Sequence, residues 1–221
     1  FVNLDVTFSL WFFNIIFQII KGTFNITGIS SVENVGIYGC IGDPIFNHLG
    51  MGAMIAMVGY SLWISRSHLK DVWHAAKGEK IDDSNEILSY KAAFWGLVFG
   101  SLFLTAWLII SGMKWYISIL FLIFAFIIWV ILTRVVCEGG IPTLVATTIA
   151  STQIVSMFGS QNLTPLTLTA LGLTYVYSAD LRTFPLASTS MGLKIVEEAE
   201  NKRPIFWAIF LAIIINIIAT L

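Results

Sequence analysis

The residues of this chain that converge on chemistry by type and spacing are Arg134-Val-Val-Cys-Glu138-Gly139-Gly140-Ile141-Pro142. Arg134 and Glu138 are four apart, so they can pair on one helical face. Gly139 and Gly140 permit a sharp break, and Pro142 suits the first turn of a new helix. Glu138 is the only acid between Tyr90 and Ala179. An acid at membrane depth is costly and is by default a functional hypothesis. A helix broken at this point would present free N–H groups and a positive dipole end to an anion. Broken helices of this kind form the binding sites of secondary transporters. The plainer reading is an ion pair at the membrane interface that closes an ordinary loop.

Downstream, Thr143, Thr147 and Ser151 follow at four-residue intervals, which predicts one polar face on a helix. Thr148, Thr152 and Gln153 widen it. The next apolar stretch carries Thr164, Thr167, Thr169, Thr174, Tyr175 and Tyr177. Either these hydroxyls bond back to their own helices and allow close packing, or part of the surface lines a solute path. Asp180 and Arg182 end this stretch ahead of Pro185. They form either a gate with Arg134 and Glu138 on the same side of the membrane, or a simple interfacial cap.

The elements that must position these groups follow from composition. Of 221 residues, 57% are hydrophobic and 11% charged, and mean hydropathy is +0.85. A soluble domain has about 25% charged residues. Apolar runs of roughly 20 residues cross a bilayer, and this chain reads as an all-α polytopic transmembrane bundle with about seven of them. The crossings are expected near 4–20, 44–64, 92–110, 115–132, 141–158, 163–177 and 204–221, the fifth starting at the Gly-Gly-x-Pro break. Asp83 and Glu86 predict a capping box ahead of the third. The segment between the second and third reads as a short surface helix with a turn at Gly78. The fourth and seventh, almost without polar atoms, are expected to face lipid, and the fifth and sixth the bundle interior. Gly96 and Gly100, and Gly52 with Ala56, have the small-xxx-small spacing of helix contacts.

Lys and Arg concentrate in loops 65–91 and 179–203, and none occurs in 22–46. The positive-inside rule then puts both basic loops, and Phe1, on the cytoplasmic side. Two crossings between residues 141 and 177 keep the basic loops together, although a re-entrant pair would do so too. The chain begins without Met and reads as part of a longer integral membrane protein of a prokaryotic cytoplasmic membrane. A net charge of −1 with no basic stripe argues against nucleic acid. No catalytic fingerprint appears and the three histidines lack metal-ligand spacing, so no enzyme activity, metal or cofactor is expected.

RVVCEGGIP (134–142), DLRTFP (180–185), SMGLKIVEEAE (190–200) and SLWFF (9–13) together resemble a group of uncharacterised prokaryotic membrane proteins, similar in turn to the oligopeptide transporter superfamily. The resemblance covers most of this chain. It implies ion-coupled transport of small solutes, such as peptides or metal chelates, and it transfers no site residues. The expected partners are the lipid bilayer, a small-molecule or peptide substrate, and further copies or a larger complex. The alternative is a membrane-embedded structural or accessory subunit without transport.

Overall fold

Nine α-helices make up the described part of the chain: α1 (Leu4–Thr27), α2 (Pro44–Ile64), α3 (Arg66–Ala76), α4 (Tyr90–Ile110), α5 (Trp115–Gly139), α6 (Ala150–Phe158), α7 (Pro165–Leu173), α8 (Pro185–Ile195) and α9 (Arg203–Thr220). The computed structural model describes residues 4–31, 33, 44–84, 86–140, 145–177, 185–196 and 202–220, with backbone only at 176, 177, 185 and 220. The chain is all-helical, and α1, α2, α4 and α5 are long and apolar enough to cross a membrane.

The hub is α5, which packs against α2, α4, α6 and α8. Ile117, Phe121, Ala125, Ile128, Leu132 and Val136 are buried along it at helical spacing. This corrects the expectation that the purest apolar run faces lipid. Lipid tails and neighbouring apolar helices offer a side chain much the same polarity, so hydropathy cannot tell an outer helix from a central one. By contrast α1 buries no residue, and α9 is exposed over most of its length.

The starts of α2 and α5 form one end of the bundle, called the head here, and their ends form the foot. The register of α2 on α5 is set at the foot, where the Arg134 guanidinium donates to Ser61 Oγ. Also at the foot, Arg203 at the start of α9 meets Asp83 at 3.2 Å, and Lys194 at the end of α8 donates to the Cys137 carbonyl. The two basic segments therefore share one end of the bundle.

The surface helix α3 and the turn at Gly78 (φ 102°) follow the sequence expectation. Trp73 of α3 packs edge-on against Phe94 of α4, with ring centroids 5.4 Å apart. The cap of α4 differs from expectation. Ser89, three residues before Ala92, is its N-cap and accepts from the Ala92 N–H, while Asp83 accepts from the N–H of Tyr90, the first residue of the helix, at 3.3 Å.

The fifth and sixth crossings are not continuous helices. α6 and α7 have nine residues each, about 14 Å of helix against the roughly 30 Å of a bilayer core. α6 ends at the head, where Phe158 meets Tyr116 with ring centroids 6.2 Å apart. α7 starts at the head, where Thr167 Oγ1 donates to the Gly112 carbonyl at 3.4 Å. A single 3-10 turn, Thr174–Tyr177, closes α7, and α8 then carries the chain along α5 to the foot. α8 thus packs along α5, while α7 lies at the head. The segment PLASTSMGLKI (185–195) falls by sequence within the basic loop 179–203, and the structure makes it a helix. Its small residues suit contact with another helix better than contact with lipid, and Ala187 is fully buried.

Candidate functional site: a buried polar cluster at the start of a half-length helix

Among the described residues between α5 and α6, 145–149 are not helical, and Ala146, Thr148 and Ile149 of this stretch are buried. Gly140 closes α5 in the left-handed conformation (φ 64°), and its N–H bonds back to the Val136 carbonyl, an arrangement glycine adopts without steric cost. Residues 145–149 are extended or bent, and Ile149 precedes α6 with φ −118° and ψ 155°. Val145, Thr147, Thr148 and Ile149 are β-branched and lose side-chain freedom in a helix. α6 starts at Ala150 and not at Ile141, and no side chain caps it.

Its first turn is buried: Ala150, Ser151, Thr152 and Gln153 are all in the core. Asn47, from the first turn of α2, and Thr148 are fully buried beside it. Asn47 Nδ2 donates to Thr148 Oγ1 at 3.3 Å, and Gln153 Nε2 donates to the same oxygen at 2.9 Å. Asn47 Oδ1, Ser151 Oγ and Thr152 Oγ1 are buried without a hydrogen-bond partner. A group so placed loses its hydration for no return, at about 1–3 kcal/mol each, which is why unpaired buried groups are few in native proteins. Gly50 makes the approach possible. A Cβ there would stand 2.6 Å from Thr147 Oγ1.

Toward the head, His48 Nε2 lies 2.8 Å from Glu33 Oε2 and 3.2 Å from Ser156 Oγ. Hydrogen bonds with His48 first, and then Ser156, hold the Glu33 carboxyl below its ordinary range. Acid and hydroxyl meet the same ring nitrogen. A serine–histidine–acid relay needs them on opposite nitrogens. An open cleft of about 390 Å³ at the head, lined in part by Lys21, Phe24, Pro44 and Phe46, stops short of the cluster, although Asn47 follows Phe46 in sequence.

Arg134, Glu138, Gly139 and Gly140 lie at the foot. Arg134 Nε donates to Glu138 Oε1 at 2.6 Å, and the Glu138 side chain is 63% exposed. With Arg134 level with Ser61, Asn47 is 14 residues earlier on α2, about 21 Å along the axis. The ion pair and the buried cluster are therefore separate features. Ser151 lies in the buried cluster, while Thr147 is exposed beside it, against Gly50. They do not form a helical stripe, because Thr147 precedes the helix and Ser151 is in its first turn. Pro142, Thr143, Asp180 and Arg182 lie outside the described residues.

Sequence reasoning missed Asn47, Gly50, Glu33 and His48. Asn47 had one legible signal: it is the only amide side chain in α2. Gly52, Gly96 and Gly100 have open space around their Cα atoms, so Gly50, and not the small-xxx-small pairs, marks the close helix contact.

No curated protein and no solved structure matches this chain. Residues 1–221 match a family described as "Family of unknown function (DUF6785)". A membrane-type helical protein built around α5, this chain belongs to that family.

Proposed function

We propose that the protein is a secondary, ion-coupled transporter of small organic solutes, with the start of α6 facing the solute. The observation that carries this reading is the buried, uncharged polar cluster where helix begins inside the bundle. Non-helical backbone at membrane depth is tolerated where it is enclosed by protein or lines a water-filled path. In secondary transporters, half-length helices meet at such places and hold the substrate. The half-length helices α6 and α7 are in keeping with this, as is the likeness of the RVVCEGGIP and DLRTFP stretches to the oligopeptide transporter superfamily. Oligopeptide-like solutes belong to the class proposed. A purely structural subunit has no need of orphaned hydroxyls in its core.

The test is uptake into proteoliposomes holding the purified full chain, under an imposed proton or sodium gradient. A mixed pool of amino acids, short peptides and organic acids is supplied and the lumen analysed by mass spectrometry. Gradient-dependent accumulation of at least one solute is expected. No accumulation under either gradient would sink the proposal.

A further inference from the structure

The cluster at the start of α6 has a hydrogen-bonding polarity that follows from counting donors. Thr148 Oγ1 has two lone pairs and one proton. Asn47 Nδ2 and Gln153 Nε2 both donate to it, at 3.3 and 2.9 Å. Both lone pairs are then engaged, and the hydroxyl proton must be given elsewhere. Exchanging the oxygen and nitrogen of the Asn47 amide keeps a free donor: Oδ1 would accept from Thr148, and Nδ2 would be left to give. Ser151 and Thr152 add buried hydroxyls that have no partner. The first three backbone N–H groups of α6, those of Ala150, Ser151 and Thr152, have no carbonyl one turn earlier in the helix. Ile149, the residue that caps α6, has no side-chain acceptor to supply. The whole set sits on the positive end of a helix dipole.

We propose that this donor-rich, uncharged site binds the carboxylate of a small solute that bears a single carboxylate. The inference rests on the transport reading and narrows its substrate class. A carboxylate offers about four acceptor positions on two oxygens and takes several convergent donors. Among the described residues, no Lys, Arg, Asp or Glu is hydrogen-bonded or ion-paired to the cluster. A single negative charge is therefore matched by dipoles, whereas a dianion would be buried with too little compensation. Asn47 Oδ1, an unpaired oxygen that can only accept, is suited to a donor on the same solute, such as an ammonium or hydroxyl group.

The experiment measures binding to the full chain in lipid nanodiscs by thermal unfolding, with matched probes: glycine against glycinamide, propionate against propionamide, and sodium chloride and inorganic phosphate as simple anions. Carboxylates are expected to stabilise the protein, with each amide, which lacks the carboxylate charge, at least about tenfold weaker, since hydrogen bonds to a charged group are the stronger kind. Thr148→Val should weaken carboxylate binding by about ten- to a hundredfold, and Thr148→Ser, which keeps the hydroxyl, should restore it. The proposal is overturned if amides, chloride or phosphate stabilise as well as carboxylates, if no carboxylate binds, or if folded Thr148→Val binds like wild type. Carboxylate binding without uptake in proteoliposomes would keep this site and remove the transporter reading. Uptake of a solute with no carboxylate, together with silent carboxylates, would do the reverse.

Discussion

Asn47 Nδ2 donates to Thr148 Oγ1 across 3.3 Å and 101 positions of sequence, both residues fully buried. This contact ties the first turn of α2 to the approach to α6. Asn47→Ala should destabilise the protein by about 1–3 kcal/mol, since it leaves a buried hydroxyl short of a donor. A double-mutant cycle with Thr148→Val, read by unfolding in lipid, should show coupling of about 0.5–3 kcal/mol. Additive single effects would mean that the bond contributes nothing.

Gly50→Ala puts a methyl group 2.6 Å from Thr147 Oγ1. Overpacking of this kind costs about 1–3 kcal/mol. Adding Thr147→Ala removes the obstructing atoms and should recover most of the loss. Gly96→Ala and Gly100→Ala meet open space and should leave stability unchanged or slightly raised, because alanine favours helix. The same unfolding assay compares all four variants.

Glu33 is held below the ordinary carboxyl range, chiefly by its hydrogen bond with His48. Its native value is lower than its unfolded value, so its contribution is complete above the unfolded value, near 4.5. That contribution is lost as pH falls through the native value. Wild type should therefore exceed Glu33→Gln in stability at pH 6, and the difference should close as pH drops below about 4.5. A difference that persists unchanged to pH 3 would remove the carboxylate from the account.

The Arg134–Glu138 pair is an i,i+4 contact with an exposed acid, worth about 0.5 kcal/mol or less. Glu138→Gln should fold and insert normally. Uptake by that variant then tests whether Glu138 is the proton- or cation-responsive group of the transport reading. Uptake is abolished if Glu138 is the proton- or cation-responsive group. Wild-type uptake would take Glu138 out of the mechanism and leave the Asn47–Thr148 cluster untouched.

Lys194 Nζ reaches the Cys137 carbonyl at the end of α5. A cation there meets the negative end of the helix dipole, and Lys194→Ala should cost about 0.3–1 kcal/mol. Lys194→Met, which retains the apolar stem, should cost as much if the charge is responsible, and less if packing is.

The sequence by itself determined that this is a helical membrane protein. Its charges are too few for a water-exposed surface, and its apolar runs match a bilayer in length. It also determined which segments share an end. Lys and Arg are the residues hardest to carry across a membrane, and Arg203 meets Asp83 at the foot as their placement required. The surface helix before Gly78 was legible for a similar reason, because its polar periodicity needs no tertiary partner. The Gly-Gly break was legible as well, since glycine at a helix end is a local requirement.

Only the tertiary structure decided how far the break runs, which helix is central and which polar groups meet. Residues 145–149 lie in a run that hydropathy reads as one crossing, yet they are not helical, and Gly50 lets α2 come close to Thr147 there. α5 is central although its sequence looks like a lipid-facing helix, because lipid and packed helices are equally apolar surroundings. Asn47 and Thr148 are joined by packing across 101 positions, and no local pattern encodes a contact at that distance.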